Sequence, residues 1–378
     1  MIYCNNAATT FPKPDAVKES VKNWFEGIPY EPGRSTGEAR DIVNEARKSI
    51  AGFFGITNPE DLFFSSGATE SLNLIIQGLD LTGGHVISSA TEHNSVLRPL
   101  IRLKNQKAID LEIIPCDSAG HVATADIEAA FKPNTKALFL SHVSNVSGII
   151  QDIDEVCRIC REHNVNSVID ASQSAGYLPI SIKTLSPDAL VCAGHKGLFG
   201  MPGIGAAYIS PELSLQPLIT GGTGVRSDLL FQPPERPLVY EAGTLNLPGI
   251  VSLAAGVKYI NSIGIDNIRH TVSGLCSRVR DRLMNHADIR IIGPMDSGSH
   301  IAVVSLVINH SSPGEVAHIL ESAFGIVLRA GLHCAPLIHP YLNAEGGTVR
   351  ISFSVLNKPE DADAVADAVL TIADMSKS

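Results

Sequence analysis

At 378 residues, 44% of them hydrophobic and 18% charged, the chain is long enough for two domains and can bury a large core. A formal net charge of −10 argues against a general nucleic-acid binder, which needs clustered Lys and Arg to displace phosphate counterions. The opening MIYCNNAATT lacks the basic and apolar regions of a secretory signal, and the longest conspicuous apolar run, IAVVSLVI at 301–308, is far short of the roughly 20 residues that cross a bilayer, so no membrane partner is expected.

In chain order the patterning predicts a helix over 68–79, a strand over 85–90, a helix over 95–105 and a strand over 136–143. A helix over 152–164 follows, then strands over 166–172, 188–194 and 204–210. Apolar strands joined by helices predict an α/β fold with a mostly parallel, doubly wound sheet. Residues 211–250 turn rich in Pro, Gly and polar side chains, and a segment of this length inside a compact enzyme is more often functional than idle. Beyond it come a helix over 249–264, strands over 301–308 and 348–355, and a terminal helix over 359–375 with Val365, Val369 and Ile372 on one face. The expected division is a large domain over 15–255 and a smaller α/β domain over 256–378, joined by the N-terminal segment 1–14.

Seven cysteines, an odd number spread from Cys4 to Cys334, do not form a disulfide framework and suit a reducing cytoplasm. Cys157 and Cys160 make a CxxC, yet with Ile153 and Val156 they occupy i, i+3, i+4 and i+7, the core stripe of a helix. No second pair stands at zinc-ligand spacing, so packing is the expected role and no metal site is expected.

Open α/β sheets bind ligands beyond the carboxyl ends of their strands. There the sequence places His93, Asn145, Asp170, Gln173, His195 and Lys196, each just after a predicted strand. Together they suit pyridoxal 5′-phosphate (PLP), which takes a lysine for its Schiff base and an acidic partner for its pyridinium nitrogen. Lys196 and Asp170 answer those needs. SSGATES at 65–71 sets Gly67, Ala68 and Thr69 at a helix start, where free N–H groups favour a phosphate, and His93 is placed to stack on the ring. No GxGxxG opens a βαβ unit and no GxxxxGK[ST] loop is present, which weakens a nucleotide-binding reading.

These motifs, with YCNNAATT (3–10), SSGATESLN (65–73), TEHNS (91–95), SHVSNVSG (141–148), DASQSAG (170–176), GHKG (194–197), EAGTLN (241–246) and RAGLHCA (329–335), run through nearly the whole chain. In their order and spacing the chain resembles the class V aminotransferase family of fold-type I PLP enzymes, in its cysteine desulfurase and selenocysteine lyase branch. The resemblance implies that Lys196 carries the cofactor, Asp170 pairs with the pyridinium, Gln173 donates to the ring hydroxyl oxygen and His93 stacks. It implies that Thr69, with Ala68, and His195 bind phosphate, and that Thr244 reaches it from the other subunit of a homodimer. Asn145 would sit beside cofactor and substrate. Arg350 would hold the substrate carboxylate, a task its planar fork suits. Relatives commonly have serine where this chain has Ala193, and many short-loop relatives have a second histidine where it has Leu332.

The same resemblance makes Cys334 the nucleophile that takes sulfur from the substrate. Free thiols are only a few per cent ionised at neutral pH, and neighbouring cations raise that fraction. Arg329 and His333 are the local candidates, and both are expected at the substrate. Lys196 would remove the Cα proton and Cys334 attack the sulfur, leaving an enzyme persulfide and alanine. The persulfide then passes to a small thiol or an acceptor protein. Competing readings are an aminotransferase or a cysteine or cystine β-lyase on the same cofactor, and a non-catalytic sulfur-transfer scaffold.

Overall fold

The computed structural model describes residues 1–27, 42–294 and 298–375. In chain order the first elements are β1 (Ile2–Tyr3), α1 (Asp15–Glu26), α2 (Ile42–Phe53), β2 (Leu62–Ser65), α3 (Ala68–Gly78), β3 (His85–Ser89) and α4 (Asn94–Asn105). There follow β4 (Asp110–Ile114), α5 (Thr124–Ala129), β5 (Thr135–Ser141), α6 (Ile153–Glu162), β6 (Asn166–Asp170), α7 (Ile182–Leu185), β7 (Ala189–Ala193) and β8 (Gly205–Ile209). After a long stretch without helix or strand come α8 (Leu247–Ile263), α9 (Ile265–Leu283), β9 (Ile289–Ile292), β10 (Val303–Ile308) and α10 (Pro313–Phe324). The chain closes with β11 (Ile326–Val327), β12 (Arg329–Gly331), β13 (Thr348–Ser352) and α11 (Pro359–Met375).

Seven strands form the main sheet in the order β2-β8-β7-β6-β5-β3-β4. Pairs from β7 through β4 are parallel, while β8 runs antiparallel to both of its neighbours. Alternate side chains enter opposite cores: Ala137 and Phe139 of β5 join α3 and α4 residues on one face, and Leu138 and Leu140 join α6 residues on the other. The sheet is therefore buried on both sides, as its near-continuous apolar strands require.

Four antiparallel strands, β12-β13-β10-β9, make a second sheet nearer the C-terminus. β1 pairs in parallel with β11, and Asn5 bridges to Ser352, so the first residues lie against C-terminal strands. α8 runs without a break through the expected 255/256 boundary. Cys157 and Cys160 are buried on α6, where burial pushes the Cys157 thiol up to about 12 and the Cys160 thiol up as well. Among the described residues no His, Cys, Asp and Glu cluster could hold a metal ion, and no helix is long and apolar enough to cross a membrane.

Candidate active site

β6 ends at Asp170, and β7 leads into the turn bearing His195 and Lys196. These two turns nest through glycines: a Cβ on Gly176 would lie 2.2 Å from the Gly197 carbonyl oxygen, and one on Gly197 would lie 2.4 Å from that of Ala175. Only bare backbone allows that approach, and it sets carboxylate and amine on one rim. The Ser172 N–H donates to Asp170 Oδ1 at 2.9 Å, fixing the carboxylate. His93 caps α4, its Nδ1 accepting from Ser95 N–H at 3.0 Å, so a neutral ring carries its proton on Nε2.

A cavity of about 330 Å³ gathers Ala68, Thr69, His93, Asn145, Asp170, Gln173, His195, Lys196, Arg329, His333 and Arg350. Of the residues given a cofactor, substrate or catalytic role in the sequence, two lie outside it. Thr244 is exposed within the 241–246 stretch of the same chain. Cys334 lines an adjoining cavity of about 380 Å³, which shares Thr69, His93 and Ser95 with the first. A larger cavity, about 1290 Å³, lies between α2 and the start of α9 and holds none of these groups, so chemistry rather than size selects the site.

Burial lowers the Lys196 amine to about 8; Asp170 opposes the shift, while Arg350 and Arg329 add to it. Arg350, almost wholly buried, is brought down to about 9 by desolvation and by Arg329, which faces it across the β12–β13 pair. Two cations directly opposite each other repel. With Lys196 they give the cavity an excess of positive charge that suits an anionic ligand.

The imidazoles are neutral. Desolvation first, then neighbouring cations, push His93 and His195 down to about 4 and His333 to about 2. This corrects one expectation: His333 brings no positive charge to Cys334, because burial and then Arg350 and Arg329 disfavour its charged form, against the opposing pull of its bond to Thr348, whose Oγ1 lies 2.9 Å from Nε2.

Arg329 does reach the thiol, donating from Nη2 to Cys334 Sγ at 3.2 Å. The loop that presents Cys334 is strained, with His333 at φ 50° and Cys334 at φ 61°, and side chains rarely adopt that region. Its carbonyl oxygens hold it there: Asn145 Nδ2 donates to His333 O at 2.5 Å and Asn94 N–H to Cys334 O at 2.7 Å. His339 lies buried behind, its ring nitrogens 3.1 Å from the Leu332 and Ala344 oxygens, so the PLIHP segment braces the loop. Leu332 itself is 44% exposed.

Several further residues shape the site. Asn5 Oδ1 accepts from Arg350 Nη2 at 3.4 Å, and Gln173 Nε2 donates to the Ala7 oxygen at 2.9 Å. Thr10 Oγ1 donates to the Lys196 oxygen at 3.0 Å and Lys13 Nζ to that of His195 at 2.9 Å, so the N-terminal segment clamps the lysine turn. Glu92, fully buried, accepts from Ser89 Oγ, Ser141 N–H and Ser141 Oγ, each at 2.8 Å. Its place beside His93 was a signal; the contacts of Lys13, 182 residues from its partner, left none.

The donors fit PLP. Ala68 and Thr69 open α3 ahead of Glu70 and Ser71, whose N–H groups donate to the Gly67 oxygen, and the first N–H groups of a helix favour an anion. His195 Nδ1 is buried with no partner among the described residues, as is Arg350 Nε. Gly205 keeps the cradle tight, since a Cβ there would lie 2.6 Å from Gly67 Cα. Lys196 and Asp170 line the same cavity.

A profile of the family described as "Aminotransferase class-V" matches residues 2–365. A Pyrococcus abyssi protein named "Probable cysteine desulfurase" is 35% identical over 376 residues, covering 96% of this chain and 92% of that one. One of the same name from Methanothermobacter thermautotrophicus is 30% identical, with 98% and 94% covered. A solved apo structure of a cysteine desulfurase from Thermococcus onnurineus NA1 superposes with a TM-score of 0.90 at 32% identity, covering 99% of this chain and 94% of that one.

Proposed function

The chain belongs to the class V aminotransferase family, and from that premise we propose that it is a PLP-dependent cysteine desulfurase, converting L-cysteine to L-alanine and receiving the sulfur on Cys334. The observation that carries the reading is the Arg329–Cys334 contact, a thiol held at 3.2 Å from a guanidinium on a strained loop beside the lysine cavity. Relatives named as cysteine desulfurases support it.

When bound, PLP supplies the electron sink for the pair left at Cα once its proton is removed. Lys196 would hold the cofactor, and its amine, which burial keeps largely neutral above about pH 8, would take that proton. Asp170 would pair with the pyridinium nitrogen, Gln173 would donate to the ring hydroxyl oxygen, and His93 would stack on the ring. Ala68, Thr69 and His195 would bind phosphate, joined by Thr244 of the partner subunit in a homodimer. Arg350 takes the substrate carboxylate, with Asn145 and His333 closing the wall beside it. Arg329 steadies the thiol as it attacks the substrate sulfur. The same reading assigns 15–255 to cofactor binding, and 256–378 with 1–14 to the domain carrying the thiol. Seven unpaired cysteines suit a reducing compartment such as the cytoplasm.

The test is to incubate the PLP-loaded protein with L-cysteine and a thiol reductant and to quantify alanine, pyruvate and sulfide. Alanine and sulfide in equal amounts are expected, lost in Lys196→Ala and in Cys334→Ala. Dominant pyruvate, or full activity in Cys334→Ala, would move the assignment to a β-lyase. L-selenocysteine run beside L-cysteine measures the chalcogen preference.

A further inference from the structure

The cavity adjoining the lysine site has a wall that the proposed chemistry leaves unused. It encloses about 380 Å³, within the size range of small-ligand sites, and Cys334 shares its lining with Arg98 and Arg102. No Asp or Glu lines it, although the chain as a whole carries a net charge of −10. Arg98 and Arg102 are exposed one turn apart on α4, and neither guanidinium has a hydrogen-bond or ion-pair partner among the described residues.

Like charges at that spacing repel along a helix. Arg102 has a structural reason for its place, the carbonyl end of α4, where Lys104 also stands. Arg98, in the second turn, has no such reason. What the two share is Cys334, which has the substrate side of the site at Arg329 and this basic recess on its other flank.

We propose that the recess binds the sulfur acceptor and that the acceptor is a small thiol bearing one or more carboxylates, held by Arg98 and Arg102. The inference rests on the desulfurase reading and names the partner of its second half. The acceptor thiolate attacks the outer sulfur of the Cys334 persulfide. A new S–S bond forms to the acceptor, the bond to Cys334 breaks, and its electron pair stays on Sγ as the thiolate beside Arg329. Electrons balance without an added oxidant or reductant.

Two measurements on an Arg98→Gln/Arg102→Gln double variant test it. The first is the rate of Cys334 alkylation by iodoacetate relative to iodoacetamide, which needs no turnover. The ratio is expected to fall about fivefold in the variant at low ionic strength, and to fall with salt in the unsubstituted protein. The second is the discharge of pre-formed persulfide by mercaptosuccinate relative to 2-mercaptoethanol, expected to fall by a similar factor. Ratios unchanged by the substitutions would overturn the site. Steering of iodoacetate without faster discharge by mercaptosuccinate would overturn the small acceptor and leave the arginines to an acidic protein segment. First-turnover alanine release reads the desulfurase function separately: a loaded persulfide with unsteered discharge sinks this proposal alone, and failure to load sinks both.

Discussion

Lys196 has two tasks, capturing the cofactor and moving a proton, and both require the free amine. Burial disfavours its ammonium form and brings it to about 8, where a solvated lysine would stay charged past pH 10. PLP capture by the cofactor-free protein should therefore quicken about tenfold per pH unit below 8 and level off above it. Stopped-flow absorbance measures this, and a rate still climbing at pH 10 would mean the amine is solvated. Ala193 lines the same cavity with no group to offer a phosphate. Ala193→Ser adds one hydroxyl, and a hydrogen bond to a charged group should slow PLP loss on dialysis by about tenfold. Unchanged loss would place the hydroxyl out of reach. The charge state of His333 was not legible in RAGLHCA, because Thr348 and Arg350, which surround the ring, belong to a strand distant in sequence.

Glu92 shows how elements are tied beneath the rim. It bonds Ser89 at the end of β3 and Ser141 at the end of β5, and Ser141 stands opposite Asp170 on β6. Burial pushes this carboxyl up to about 7, against the pull of its three hydrogen bonds, with Asp170 adding to the rise. Its folded pKa lies above its unfolded one, so the folded state holds the proton over a wider range, and the contribution falls as pH rises from about 4.5 to 7. Measured against Glu92→Gln, the unsubstituted protein should lose up to about 1.4 kcal/mol per pH unit in that window. Urea unfolding at pH 5 and pH 7 checks this, and parallel pH dependence in the two proteins would refute it. Elements with strong apolar runs, such as β5, β6 and β7, were legible in the sequence, and the rule that ligands lie beyond strand ends then exposed most of the rim. β4 leaves no strand signal in the sequence because its Asp110 and Glu112 break the apolar run at the sheet edge. β12 leaves none either, because three residues, RAG, are a strand only through pairing with β13. The long α9 is hidden in the sequence because its apolar positions are diluted by arginines.

Across the whole molecule, neutral histidines set the acid limit. His93, His142 and His195 are each brought down to about 4 and His333 to about 2, chiefly by burial. Below pH 6.5 the unfolded chain takes up protons that these rings refuse, so stability falls as pH falls toward 4, and for His333 beyond it. Glu92 acts in the opposite sense between about 4.5 and 7, as one carboxyl against four imidazoles. The imidazoles should win, and the free energy of unfolding should drop by a few kcal/mol between pH 7 and pH 5, read from urea midpoints. A midpoint that holds or rises at pH 5 would mean the rings charge in place. The site would then be wetter than its hydrogen bonds imply. Cofactor capture through Lys196 should fade at higher pH than the fold does, because its amine charges below about 8 while the histidine contribution is lost only below 6.5. Near-neutral conditions should therefore separate a protein that is folded but slow to load from one that is unfolding.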